Sequence, residues 1–452
     1  MRVSRIGPAL ALPALLLAVL AGAVMAGGLV PPGEPDGFSA QPVNDTYHVL
    51  LTWQPSPGAT YYLLQRRWAG TSWAWEYLPS VAGAQTFTDT TTSCGTYYEY
   101  RIRACTEENE CSAWVGPAGA TAAPCAPNVD QVAPISGRYA VRVRWGVQAG
   151  GVTTFTLQRR HLPLDWTYAI SLPAGAGSLF QYEDEEGLTC EGNYAYRLRS
   201  HRDGAYGPFG DPSEPVMVAP CAPQNLQATA LQGQYGATLG WQDVGQTETA
   251  YQVKRTWAGG QEVAATLPAD SIAYTESGLA ALCSQVVAYQ VQAGRDGVYS
   301  PAAEATAHLA PCAPSDLAFV HSPPYTVSLT WLDNAPDESA FGVWRRLAGE
   351  SWEAWARVPA SPGTGGLVRF TDGEAPCERR VYYRVRAERD APAANWSDWS
   401  EMVTVDTGTC PPGTPTPTRT PTRTPTPTPT ATPTPTPPLP SRALLPFILR
   451  DG

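Results

Sequence analysis

The sequence predicts an all-β chain built from repeated two-sheet sandwiches, and three observations carry this. An apolar strand ending in Trp recurs four times, at Trp53, Trp145, Trp241 and Trp331. Each recurrence leads on to a run of strict alternation, such as Tyr98-x-Tyr100-x-Ile102-x-Ala104, which marks a strand with one buried face. Helical periodicity is nearly absent, while Pro and Gly number 45 and 41 among 452 residues, a composition of short strands and many turns.

Residues 1–26 read as a signal peptide. Arg2 and Arg5 form a basic start, an apolar run extends from Ile6 to Val24, and Ala21, Ala23 and Ala26 offer small-residue cleavage sites. The run is long for such a segment, so cleavage and retention as an anchor both stay open. After it no stretch reaches the ~20 apolar residues of a transmembrane span. The expected location is extracellular or at the cell surface.

Four repeats follow, at 34–125, 126–221, 222–312 and 313–410. After the Trp strand comes aromatic-x-aliphatic-x-Arg: Tyr62-Leu64-Arg66, Phe155-Leu157-Arg159, Tyr251-Val253-Arg255 and Phe341-Val343-Arg345. An aromatic and an acid come next: Phe87 and Asp89, Tyr182 and Asp184, Tyr274 and Glu276, Phe370 and Asp372. A Cys then opens the alternating strand, and a second Cys closes the unit. Turn signals such as Asp203-Gly204 and Asp296-Gly297 recur between strands.

These motifs, in one order and four times over, resemble fibronectin type III repeats. The resemblance covers about residues 34–410. It implies four tandem immunoglobulin-like (fibronectin type III) β-sandwiches. Tyr98 and Tyr194 match the position of the family's tyrosine corner, whereas Val287 and Val381 stand there in repeats three and four.

The fold so implied places the start of the penultimate strand beside the end of the last one. The ten Cys of an exported chain then pair as Cys94–Cys125, Cys190–Cys221, Cys283–Cys312 and Cys377–Cys410. Cys105 and Cys111 flank the tip of the last hairpin of repeat one and pair with each other. Zinc is the rival reading, but the Cys spacings are not those of zinc sites and no His lies near.

Residues 411–438 form a Thr/Pro-rich linker, a disordered stalk expected in extended polyproline II form. A short apolar tail, 439–452, ends the chain and is read as a sorting or attachment tag.

Little in the sequence points to catalysis. The five His (48, 161, 201, 308 and 321) are scattered, and the usual nucleophile, zinc-protease and phosphate-loop motifs are missing. Glu183-Asp184-Glu185-Glu186 has the oxygen content of a Ca2+ site, but a solvated acidic loop is the simpler reading. No enzyme activity, cofactor or metal site is expected. The net charge of −11 argues against nucleic acid as a partner.

The expected function is therefore non-catalytic: adhesion, or binding of a protein or glycan at the cell surface. The alternatives are a structural spacer of an envelope layer and an accessory carbohydrate-binding protein of extracellular hydrolases. Trp68, Trp73, Trp75 and Tyr77 of repeat one form the candidate binding patch, since exposed aromatics stack on sugar rings or dock partners.

Repeat four holds Asn395-Trp396-Ser397-Asp398-Trp399-Ser400. Class I cytokine receptors carry a similar motif in a fibronectin-type domain, but they also need a following membrane span, and Thr-Pro repeats follow here. By strand alternation Arg384 and Arg386 share an outer face with Trp344 and Arg346. The three-residue spacing of Trp396 and Trp399 suits an extended edge segment that aims both indoles at those arginines. The expected result is a structural Arg–Trp ladder of Trp344, Arg346, Arg384, Arg386, Trp396 and Trp399, held by cation–π contacts.

Overall fold

The computed structural model describes residues 30–410 and 412, apart from 69, 71, 148–150, 176, 361, 362, 392 and 411. The signal segment, the Thr/Pro-rich linker apart from Pro412, and the apolar tail lie outside the described residues. The chain divides into two compact units: 1–231 with 236–309, which holds repeats one to three, and 310–452 with 232–235, which holds repeat four.

Each repeat pairs a three-stranded antiparallel sheet with a second sheet of up to five strands. Repeat four shows the plan. Strands A (Ser315–Ser322), B (Thr326–Leu332) and E (Leu367–Asp372) make the first sheet. Strands C (Ala340–Leu347), C′ (Glu353–Pro359) and F (Arg380–Arg389) make the second, with G in two pieces, Asn395–Trp396 and Val403–Asp406. The corresponding F strands of repeats one to three are Tyr97–Cys105, Asn193–Arg202 and Val286–Arg295. This A-B-E over C′-C-F-G order is that of a fibronectin type III sandwich.

The cores follow from the alternation. In repeat four Val327, Leu329 and Trp331 of strand B face Phe341 and Val343 of C and Val381, Tyr383, Val385 and Ala387 of F, all buried. The Trp that ends each B strand is buried in every repeat. Burying a large apolar side chain contributes about 1.5–3 kcal/mol, and these rings are among the largest in each core.

The disulfides join Cys94 to Cys125, Cys105 to Cys111, Cys190 to Cys221 and Cys377 to Cys410. Cys283 and Cys312 are also disulfide-bonded, and no free cysteine remains to partner either elsewhere. The tyrosine corner is present in two repeats. The Tyr98 hydroxyl accepts from the Ser93 N–H at 2.8 Å, and that of Tyr194 from the Thr189 N–H at 3.0 Å. Repeat three, with Val287 there, replaces it with a single 3-10 turn, Ala280–Leu282, that buries Leu282.

Candidate functional site

Three constructions use the polar side chains of this protein: a buried triad inside each sandwich, a ladder on its outer face, and a joint between successive repeats.

The triad explains why the C-strand Arg and the acid ending strand E recur together. Arg66 Nη1 donates to Asp89 at 2.7 Å, and the Tyr100 hydroxyl donates to the same carboxylate at 3.1 Å. Arg159, Asp184 and Tyr196 repeat this at 2.8 and 2.9 Å. Arg255 pairs with Glu276, which accepts from Tyr289 at 2.6 Å. Arg345 reaches Asp372 at 3.0 Å, with Tyr383 at 2.6 Å. The acid comes from one sheet and the Arg and Tyr from the other, so each triad ties the two sheets together. Burial, and then the adjoining carboxylate, pushes the hydroxyls of Tyr100, Tyr196, Tyr289 and Tyr383 well above the usual phenol range, so each remains a donor.

The acidic run at Glu183–Glu186 is taken up in the same way. Asp184 belongs to the triad, Glu183 holds Arg138 and Arg142 at 2.7 Å each, and Glu185 holds Arg138 at 3.1 Å. Three of the four carboxylates are thus paired with guanidinium, while Glu186 offers Arg159 its backbone carbonyl at 2.8 Å.

The ladder covers the outer face of the C-F-G sheet in repeat four. The Arg384 guanidinium lies 3.7 Å from the Trp399 ring, 4.3 Å from Trp352 and 5.9 Å from Trp344. Arg386 lies 4.8 Å from Trp396, 5.0 Å from Trp399 and 5.5 Å from Trp344. Arg346 completes the row at 5.0 Å from Trp352 and 4.6 Å from Tyr382. Trp352 and Tyr382 thus join the six residues expected from the sequence. Burial, and then the neighbouring arginines, pulls the Arg384 guanidinium down from its usual range.

Two serines fix the register of that edge. The Ser397 N–H donates to the Ala387 carbonyl at 2.9 Å and its hydroxyl accepts from the Ala387 N–H at 2.9 Å. Ser400 does the same for Val385, at 2.8 and 3.0 Å. The edge therefore advances three residues for every two on strand F, and this sets Trp396 and Trp399 over the arginines. Ser112, Ser213 and Ser300 each make the equivalent pair of bonds once, in repeats one to three.

Repeat one carries its own ladder. Arg101 lies between Trp75 and Trp114 at 4.3 and 4.6 Å, and Arg67 lies 4.6 Å from Trp75 and 5.6 Å from Trp73. Trp68 packs on Arg66 at 4.8 Å and against Tyr98. Of the candidate patch, Trp73 and Tyr77 keep substantial exposure, 42% and 63%. Repeat two builds a ladder of Trp166, Arg197, Phe209, Arg199 and Tyr206, which the sequence reading did not identify. Repeat three has Lys254 on Gln292 and Gln290 on Glu304 instead.

Three of the five histidines have local structural contacts. His201 Nε2 lies 2.7 Å from the Thr156 hydroxyl, and burial together with Arg199 pulls this imidazole down. His161 stacks on Tyr194, and His308 meets the Ser284 carbonyl.

The joint is the construction that the sequence reading missed. Between repeats one and two, the Asp45 N–H donates to the Tyr206 carbonyl at 3.1 Å and the Tyr206 N–H donates to Asn44 Oδ1 at 3.1 Å. Arg202 donates to the Ala122 carbonyl at 2.7 Å, and the Ala126 N–H to the Tyr47 hydroxyl at 3.2 Å. Between repeats two and three every part recurs. Gly137 donates to the Tyr299 carbonyl at 2.8 Å, and Tyr299 to the Ser136 hydroxyl at 3.0 Å. Arg295 donates to the Val218 carbonyl at 2.8 Å, and Ala222 to the Tyr139 hydroxyl at 2.7 Å.

The A–B turn of one repeat is thereby bonded to the F–G turn of the next. The Arg-Asp-Gly turns serve this geometry: Asp203 and Gly204, like Asp296 and Gly297, adopt positive φ and form tight hairpins that project Arg202 and Arg295. At Gly207 a Cβ would collide with the Pro124 carbonyl, so the close approach of repeats one and two requires glycine.

No family model and no curated protein matches the sequence. Among solved structures, the chain is similar to the FN1–FN3 domains of chicken CNTN1, at 15% identity over 61% of this chain and 98% of that one, with a TM-score of 0.25. It is also similar to a Fn3-like protein from Clostridium thermocellum, at 24% identity over 20% of this chain and 94% of that one, with a TM-score of 0.19. A segment of two fibronectin type III domains from chicken tenascin matches at 13% identity over 40% of this chain and 97% of that one, with a TM-score of 0.24. No described helix is long and apolar enough to cross a membrane. By the strand order of its sheets, the described chain has the fold of tandem, disulfide-bonded fibronectin type III sandwiches.

Proposed function

We propose that this is a non-catalytic protein, exported or held at the cell surface, that binds a protein or glycan partner through the outer faces of its tandem sandwiches. The observation that supports the reading is the repeated joint. It bonds repeats one to three by the same set of contacts twice over, so their faces are presented at set offsets, and several weak contacts can act together. Disulfides in every repeat support an oxidising, extracellular location. Trp73 and Tyr77 are the proposed contact residues on repeat one, because the ladder leaves them exposed beside guanidinium groups.

A structural spacer is the second reading. The ladders favour it, since they spend most of the surface aromatics on the protein itself. A glycan array and a pull-down against envelope fractions, each run with the wild type and a Trp73→Ala/Tyr77→Ala variant, separate the two. A signal lost in the variant supports binding through this patch. A silent wild type supports the spacer. A hydrolase activity in the purified chain would overturn both.

A further inference from the structure

Repeat three contains a group of carboxylates with no counter-charge. Asp243 follows strand B (Gly236–Gln242), Glu248 precedes strand C (Ala250–Trp257), and Asp270 follows strand C′ (Gly260–Pro268). Their ligand oxygens all lie within 4.8 Å of one another. Among the described residues, no ion pair involves any of the three.

Glu248 gives the independent sign that something is held here. It is 7% exposed, and its Oε2 is buried without a hydrogen-bond partner. A buried, unpartnered carboxylate oxygen is costly unless a cation or proton satisfies it. The nearest arginine on strand F, Arg295, is turned to the Thr247 hydroxyl and the Val218 carbonyl. Glu191 also approaches the loop, but it is occupied by the N–H groups of Gln246 and Thr247.

Repeat four serves as an internal control. Asp333 and Glu338 stand where Asp243 and Glu248 stand, two residues after the buried Trp and just before strand C. There burial pushes both carboxyl groups up, Glu338 to about 7, and Arg389 neutralises the neighbouring Asp337. Asp333 Oδ2 and Glu338 Oε2 are likewise buried without a hydrogen-bond partner, and the raised carboxyl groups favour a proton there in place of a cation. Repeat three differs by a third acid, Asp270, and by Tyr251 in place of Phe341, its hydroxyl donating to Asp243 at 2.6 Å.

We propose that Asp243, Glu248 and Asp270 bind a divalent cation, and that the cation is Ca2+. The donor set is all oxygen with formal charge −3, and it contains neither the His nor the Cys that zinc favours. Ca2+–oxygen distances of about 2.3–2.6 Å let ligand atoms on opposite sides of the ion stand roughly 4.6–5.2 Å apart, which accommodates the whole group. A Mg2+ shell at about 2.0–2.1 Å takes the group only if its widest separations close to roughly 4.2 Å. Asp270 is exposed and opens the site to solvent, from which water completes the shell.

The test uses the full chain, stripped with chelator and titrated with CaCl2 by calorimetry, alongside thermal melts with CaCl2 and with MgCl2. One Ca2+ is expected to bind with Kd on the order of 10⁻⁴–10⁻³ M, as in extracellular modules, and to raise the melting of repeat three, with Mg2+ weaker. Asp270→Asn, at an exposed position, should fold normally and lose at least about tenfold in affinity, since one of three charged ligands is gone. Glu248→Gln should abolish the Ca2+-dependent shift. The proposal falls if the wild type gives no heat and no shift up to about 10 mM Ca2+, some ten times the weakest such affinity. It falls equally if Asp270→Asn and Glu248→Gln respond to Ca2+ as the wild type does.

Discussion

Replacing Asp372 with Ala tests the claim that the triads hold the two sheets of each sandwich together. The substitution removes a carboxylate 1% exposed from beside a guanidinium 7% exposed. Three contacts vanish: Arg345 at 3.0 Å, the Tyr383 hydroxyl at 2.6 Å and the Glu374 N–H at 2.9 Å. Stranding one member of a buried ion pair costs about 3–5 kcal/mol. Glu353, 3.6 Å from Arg345 and 40% exposed, remains as a partly solvated counter-charge and favours the lower end. A loss of about 3 kcal/mol in a domain of roughly 100 residues lowers its midpoint by about 12–24 °C. Native-state hydrogen exchange at the strand F amides of repeat four reads this locally, while the other repeats stay unchanged. The triple variant Arg345→Met/Asp372→Leu/Tyr383→Phe removes all the polar partners at once and should fall within about 1 kcal/mol of the wild type. A loss below about 1 kcal/mol for Asp372→Ala, or a triple variant as damaged as the single one, would refute the reasoning.

Changing both Arg384 and Arg386 to Gln should cost repeat four about 2 kcal/mol, since several cation–π contacts of ~0.5–1 kcal/mol are lost together; an unchanged melt would disprove the ladder's role. Ser397→Ala with Ser400→Ala strips the partners from two buried N–H groups, at about 1–3 kcal/mol each, and is checked by urea unfolding. Glu338 has a folded pKa of about 7 against an ordinary 4.5, so the folded state binds the extra proton between those values and repeat four loses stability as pH rises through them. Discounted for partial exposure, the loss is ~1–2 kcal/mol, and Glu338→Gln should flatten the profile when melts at pH 5 and 8 are compared. Gly207→Ala should loosen the joint of repeats one and two without unfolding either, seen as faster exchange at the amides of Asp45 and Ala126; unchanged protection there would count against the joint.

The strands were legible because a two-residue alternation reports burial directly, and four copies fix which differences are noise. Four of the ladder residues were legible for the same reason, since alternation on strands C and F says which side chains share a face, and the three-residue spacing of Trp396 and Trp399 gave the other two. The serines escaped notice because their work is done through backbone N–H groups of strand F, which leave no trace in side-chain pattern. Arg66, Asp89 and Tyr100 were each read as marks of a repeat, yet their union depends on how one sheet lies over the other. The joint was hidden for a different reason. Asn44 and Tyr206, or Ser136 and Tyr299, are 162 and 163 residues apart, in different repeats, and aligning repeats on one another superimposes such partners' own copies without ever setting them side by side. Asp270 reaches Asp243 and Glu248 only because strand C′ returns the chain to the mouth of the B–C loop.

The joint leaves repeat two with unlike ends: an A–B turn that receives repeat three, and an F–G turn that engages repeat one. Ends of this kind are interchangeable along the series. Excising residues 126–221 would place the Arg295 hairpin against Ala122 and Ala222 against the Tyr47 hydroxyl, restoring the same bonds with different owners. The run of repeats one to three can therefore be shortened or lengthened by copies of repeat two without redesigning either connection.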